Sequence, residues 1–137
     1  MIQLRGYQKH FKAGIYDAWD NQGHPNVLGV LPTGGGKTAT FSDIILDRDV
    51  PSCAIAHRQE LVGQISTALA RNGVRHRIIG PPKIIKMCVN LHMEEMGRSY
   101  FDPGSWHAVA GVDTLIRRTK ELATWTPSVK LWVEDEA

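Results

Sequence analysis

Three consecutive glycines, Gly34, Gly35 and Gly36, run directly into Lys37 and Thr38. An apolar stretch at 27–31 precedes them, and Phe41, Ile44 and Ile45 follow at helical spacing. Glycines let the backbone curl until successive N–H groups point inward, which makes a cradle for phosphate oxygens. A helix starting near Lys37 directs its positive end at the same charge. The order strand, Leu31-Pro-Thr33-Gly34-Gly35-Gly36-Lys37-Thr38, helix therefore predicts a nucleotide phosphate loop. In such a loop Lys37 reaches the β- and γ-phosphates and the Thr38 hydroxyl ligates Mg²⁺. Leu31 stands where the strict pattern has its first glycine, but the cradle itself comes from residues 34–36.

The rest of the chain alternates helical and strand-like segments. Tyr7, Phe11, Ile15 and Trp19 recur every four residues and mark one face of an opening helix, which turn formers at 21–26 end. Short apolar runs at 27–31, 52–56, 75–79, 107–112 and 129–133 read as five strands. Between them, Leu61, Ile65, Ala68 and Leu69 predict a helix ending near Asn72-Gly73. Pro81-Pro82 opens another, with Ile84, Cys88, His92 and Met96 in one row. Strands alternating with helices predict an α/β fold with a parallel sheet covered on both faces. Ligands of such folds bind beyond the carboxyl ends of the strands.

A chain of 137 residues fits one domain, 1–137. At 42% hydrophobic and 22% charged it can build a small core. The net charge of +2 is too slight to name a partner. Cys53 and Cys88 are too few for a disulfide framework or a zinc cluster and are expected to be reduced core residues. The N-terminus lacks the apolar segment of a secretory signal, and no apolar run reaches the ~20 residues needed to cross a bilayer. A cytoplasmic protein without a membrane partner is expected.

Several other places carry chemistry. The apolar run 129–133 ends in Glu134-Asp135-Glu136, and acids at a strand tip would meet the phosphate loop across the strand ends. Three acids near a terminus can equally form a solvated tail. Gln8 offers a donor and an acceptor together, as an adenine edge demands, although a glutamine at a helix start is also an ordinary polar cap. His57 and Arg58 lie between a strand and a helix N-terminus, where phosphate is welcome, or where a helix start is simply solvated. Arg117 and Arg118 follow Thr114 and could serve a backbone or an exposed helix face. The apolar rows of 81–106 are expected to pack on the core. The four tryptophans read as packing residues, and the histidines show no ligand spacing.

Taken in order, Leu4-Arg5-Gly-Tyr7-Gln8, the loop 31–38, Ala56-His57-Arg58-Gln59-Glu60-Leu61, Val109-Ala-Gly-Val-Asp113-Thr114-Leu115 and Glu134-Asp135-Glu136-Ala137 resemble the motif series of superfamily 2 helicases, in the branch of restriction and repair motors. The resemblance implies a three-layer RecA-like P-loop NTPase fold with a mainly parallel sheet. That fold would be incomplete at its C-terminus, since the chain stops inside the Asp-Glu-Ala-His box. It implies ATP and Mg²⁺ as cofactors: Arg5 and Gln8 at the adenine, Thr33 to Thr38 on the phosphates, Thr38 and Asp135 on the metal, and Glu136 on the attacking water. It implies that His57, Arg58 and Thr114 touch a sugar-phosphate backbone, with DNA as the expected track. A second RecA-like domain outside this chain would complete the ATPase, so little turnover is expected from these residues alone. Glu134, at a position usually apolar, and Asp113, where glutamine is usual, depart from the pattern. Two alternatives are a nucleotide-binding interaction module that never hydrolyses ATP, and a P-loop enzyme such as a kinase. Gln8 and the 57–61 stretch speak against the second.

Overall fold

A computed structural model describes residues 6–21 and 37–135. The expected strand at 27–31 and the loop with Thr33, Gly34, Gly35 and Gly36 lie outside the described residues, as do Arg5 and Glu136. Strands β1 (Ser52–Ala56), β2 (Arg77–Ile79), β3 (His107–Gly111) and β4 (Leu131–Asp135) form one four-stranded sheet in the order β2-β3-β1-β4. Every pairing is parallel. The helices are α1 (Gly6–Tyr16), which continues as a π-helical turn over Asp17–Asn21, then α2 (Lys37–Arg48), α3 (Gln59–Arg71), α4 (Pro82–Met96) and the short α5 (Val112–Arg117). The described chain is thus an α/β fold on an all-parallel sheet, as expected.

Successive side chains leave a strand on opposite faces, and in β1, β2 and β3 both sets are buried almost throughout. Ala54 and Ala56 of β1, Ile78 of β2 and Val109 of β3 join Ile45, Val62, Ile65, Leu69, Ile84 and Cys88 on the side covered by α2, α3 and α4. Cys53, Ile79, Ala108 and Ala110 form a second core with Leu122 and Val129, closed by Leu115 and Trp125. Both faces of the sheet are covered, which is why the strands read as continuous apolar runs. Cys53 and Cys88 are buried free thiols, and burial pushes the Cys53 thiol up to about 12. Both behave as core hydrophobes.

The helix ends follow local rules. Beyond α3, Gly73 takes a left-handed φ of 72°. Its N–H reaches Ala70 O at 2.9 Å, and the Val74 N–H reaches Leu69 O at 2.9 Å. These two bonds satisfy two of the orphan carbonyls of the last turn. Helix α4 carries Pro82 in its first turn and stops at Gly97, also at φ 72°. Its Ile84, Cys88 and His92 are buried in one row, so the stripe packs on the core as expected. Helices α3 and α4 approach closely at Gly63, where a Cβ would stand 2.9 Å from Met87 Cε.

The starts of two strands differ from expectation, and β3 ends at Gly111, one residue short of the expected 107–112, because Val112 opens α5. The last strand lies at 131–135, later than the expected 129–133. A 3-10 turn at Thr126–Ser128 carries Pro127 and ends as the Val129 N–H bonds Thr126 O. Val129 plugs the second core instead of pairing, and the ladder starts where Pro51 O accepts the Lys130 and Leu131 N–H groups. The strand expected to begin at residue 75 begins at Arg77. Before it, His76 makes an isolated bridge to Phe101.

Candidate functional site

The carboxyl edge of the sheet is level across three strands. Ala56 of β1 pairs with Gly111 of β3 on one side and with Asp135 of β4 on the other. Beyond this row β1 passes into α3 through His57 and Arg58, and β3 passes into α5 at Val112. Strand β2 leads through Gly80 and Pro81 into α4. The three junctions line one cleft of about 50 Å³.

Sequence-predicted and unpredicted residues meet there. His57, Arg58 and Thr114, expected on a sugar-phosphate backbone, all line the cleft. His57 and Arg58 are exposed, whereas Thr114 is buried. Arg117 and Asp113 also line it and are exposed. Arg58 ends the extended segment at φ −118° and ψ 145°, and its carbonyl accepts the N–H groups of Leu61 at 3.1 Å and Val62 at 3.2 Å. No Arg58 side-chain bond caps α3, so the positive end of that helix opens toward the cleft. Gly80 and Pro81 complete the wall. Sequence reasoning read Pro81-Pro82 as the opening of a helix after a strand but gave that junction no role at a site.

Helix α2 begins at Lys37 with Thr38 next, as expected for a helix launched from a glycine loop. Helix α1 holds Gln8 in its first turns, and its later residues are tied to α2. Lys12 pairs with Asp43, and the Tyr16 hydroxyl donates to Asp47 at 2.7 Å. Arg48 pairs with Asp20 at 2.9 Å and stacks over the Tyr16 ring, 4.1 Å from its centre. Partners advance together in both helices, so α1 and α2 run the same way. Gln8 therefore lies at the same end of the helix pair as Lys37 and Thr38. Asp135 closes β4, and the corrected register places Glu134 within the strand, opposite Ile55. Among the described residues, no three His, Cys, Asp or Glu side chains are grouped to hold a metal ion. Among the same residues, no helix is long and apolar enough to cross a membrane.

Behind the cleft wall, α3 and α4 share a buried polar chain. Ser66 Oγ lies 2.7 Å from His76 Nε2 and 2.8 Å from His92 Nε2. The Tyr100 N–H donates to His92 Nδ1 at 3.2 Å, so that nitrogen is bare and His92 Nε2–H donates to Ser66. His76 Nδ1 faces the Val74 carbonyl at 2.9 Å and must donate to it, leaving His76 Nε2 to accept the Ser66 hydroxyl. Both rings are then neutral and every partner is satisfied. Burial pushes His76 down to about 4 and lowers His92 as well. Nothing in the spacing of histidines announced this chain, but His92 in the row of Ile84 and Cys88 marked it as a core residue.

No family model, curated protein or solved structure matches the chain significantly.

Proposed function

We propose that this chain is the ATP-binding motor domain of a superfamily 2 helicase or translocase, built on a three-layer RecA-like arrangement, with DNA as its track. The observation that carries this reading is the meeting of the β1–α3, β2–α4 and β3–α5 junctions in one cleft, at the sheet edge that β4 reaches with Asp135. The Gly34-Gly35-Gly36-Lys37-Thr38 sequence ahead of α2 supports the same reading, since a phosphate cradle and an acidic strand end are the two halves an ATP site needs. The shared direction of α1 and α2, which brings the Gln8 backbone to the Lys37 end of the pair, supports a base contact.

In this mechanism the loop N–H groups and Lys37 hold the nucleotide phosphates, and Gln8 reads the base. The donor set of the Thr38 hydroxyl and the Asp135 carboxylate suits Mg²⁺, which prefers hard oxygen ligands and keeps several waters. When bound, the ion neutralises charge on the phosphates. Glu136 orients the attacking water. His57, Arg58 and Thr114 grip a sugar-phosphate backbone, which sets register on the strand without reading bases. Movement follows if that grip differs between nucleotide states.

The test measures ATP turnover by the native-length product, with and without single-stranded DNA, duplex DNA and RNA, beside nucleotide binding. Stimulation by one nucleic acid, abolished in Lys37→Ala and Glu136→Gln, identifies a motor and its track. Nucleotide binding without turnover on any of them replaces the motor with a non-hydrolysing interaction module. Equal binding by Lys37→Ala and the parent removes the phosphate-loop reading altogether.

A further inference from the structure

At the opposite edge of the sheet, one ring nitrogen is claimed by two groups. His107 opens β3 beside Ser52 of β1, and its side chain is only 8% exposed. Its Nδ1 lies 2.8 Å from Ser52 Oγ. Its Nε2 lies 3.0 Å from the Trp106 indole nitrogen and 3.3 Å from Asp49 Oδ1. An indole N–H can only donate, and an ionised carboxylate can only accept. A bare Nε2 therefore serves Trp106 and repels Asp49, whereas a protonated Nε2 serves Asp49 and repels Trp106. The bond from Nδ1–H to Ser52 is common to both states, so the ring stays anchored while its other partner changes.

We propose that His107 is a pH-operated exchange point, holding Trp106 when neutral and Asp49 when protonated. Acid thereby replaces a tie within the lead-in to β3 by a tie between β3 and the end of α2. The only chemical event is the transfer of one proton from solvent to Nε2. Both claimants are free to respond, since the Asp49 side chain is 71% exposed and Trp106 is 51% exposed. Asp49 follows α2 with a left-handed φ of 45°, which aims the residue back toward β3.

The groups that face the ring come from three directions. Asp49, beyond α2, favours the charged form. His76, before β2, feels a positive charge on His107 as a repulsion. Ser52 of β1 is neutral. Burial, the largest influence, lowers the proton affinity of His107, and Asp49 offsets it in part. The ring is therefore neutral at neutral pH. The shorter approach of the Trp106 indole nitrogen, 3.0 Å against 3.3 Å for Asp49, marks Nε2 as its bare nitrogen. The indole-held state is thus the resting one, and exchange falls on the acid side of the ordinary histidine range.

Nitrogen NMR of the 137-residue chain, run from about pH 8 to about pH 5 with far-ultraviolet circular dichroism as a control for folding, tests this directly. At the alkaline end His107 is expected to carry its proton on Nδ1, with the Trp106 indole N–H protected from exchange. As His107 titrates, the Trp106 indole signal should shift and exchange faster with the same midpoint, before the circular dichroism changes. Asp49→Asn should lower the His107 midpoint by about half a unit or more, since it removes the carboxylate that favours the charged ring. Trp106→Phe should raise it, since it removes the donor that favours the neutral ring. A proton on Nε2 at the alkaline end, an indole signal indifferent to His107, or an unchanged midpoint in Asp49→Asn would each overturn the proposal.

Discussion

Ala56 and Asp135 are direct partners across the β1–β4 ladder, so the acidic end of β4 stands level with the residue that hands β1 over to His57. The backbone end of β4 therefore stands beside the strand that leads into the cleft, and Glu136 follows Asp135 in the sequence. Under the motor reading, Glu136→Gln should leave nucleotide affinity nearly unchanged and cut turnover by roughly 10²–10⁴-fold, the usual contribution of a positioned acid-base group. Parallel binding and single-turnover assays check this. A matching loss of affinity would mean that Glu136 holds the nucleotide instead of orienting water.

Arg58 lines the cleft and Arg118 does not. If the cleft grips a phosphate backbone, Arg58→Ala should weaken nucleic-acid binding evenly across sequences. It should also reduce the slope of log affinity against log salt by about 1, one phosphate contact. Arg118→Ala should leave that slope alone. Fluorescence-anisotropy titrations at several salt concentrations separate the two, and equal effects would make the interaction a diffuse attraction to basic surface.

Ser66 Oγ bridges the His76 and His92 rings by two hydrogen bonds. Ser66→Ala leaves a buried acceptor on one ring and a buried donor on the other. Each unsatisfied group costs about 1–3 kcal/mol, so a loss of about 2–6 kcal/mol is expected in denaturant unfolding. Ser66→Thr keeps the hydroxyl and should lose less unless its methyl group cannot be accommodated. A near-neutral Ser66→Ala would show that water or Cys88 takes over the hydroxyl's place.

Acid should unfold the protein through the same residues. Burial holds His76 at about 4 in the folded state, below its ordinary value of 6.5. Between those values the unfolded chain binds a proton that the folded chain refuses, so stability falls as the pH falls. The contribution is intact above the ordinary value and lost once the pH has dropped through the folded one. For His76 alone the loss is roughly 3 kcal/mol, and His92 and His107 shift in the same direction. Urea midpoints measured across this range check the slope. His76→Gln, which cannot titrate, should flatten it whatever its effect on absolute stability.

Gly63 opposes two effects of similar size. Alanine would gain about 1 kcal/mol of helix propensity. Its methyl group would meet Met87 Cε at 2.9 Å, the far end of a flexible side chain that can move aside. Gly63→Ala should therefore be within about 0.5 kcal/mol of neutral, whereas Gly63→Ile overfills the α3–α4 contact and should cost about 1–3 kcal/mol. Thermal and denaturant midpoints distinguish them.

Much of the fold is legible in the sequence because the strands are buried on both faces and the helices carry clear rows. The limits of α4 follow from Pro82 at one end and Gly97 at the other, and those of β1 from its uninterrupted apolar run. Strand β4 was misplaced because Val129 looks like a strand residue. Its apolar side chain fills the second core from a 3-10 turn, and apolarity alone does not distinguish the two settings. At the cleft, His57, Arg58 and Thr114 were legible as residues at strand-to-helix junctions. The Gly80-Pro81 wall and the His76–Ser66–His92 chain were not, since each depends on which distant segments meet. A hydroxyl such as Ser66 in an apolar helix face gives no sign of its partners until α4 is laid against it.

The parallel sheet also sets an order of events in synthesis. Both neighbours of β1, at residues 107–111 and 131–135, emerge long after β1 itself. While the chain is being made, α3 can form and α4 can dock on it, but the central strand has two bare edges until its late partners arrive. Contacts so far apart in sequence fold slowly. The nascent chain therefore passes through a stage at which its most apolar strand is open to capture by a chaperone or by another copy of itself.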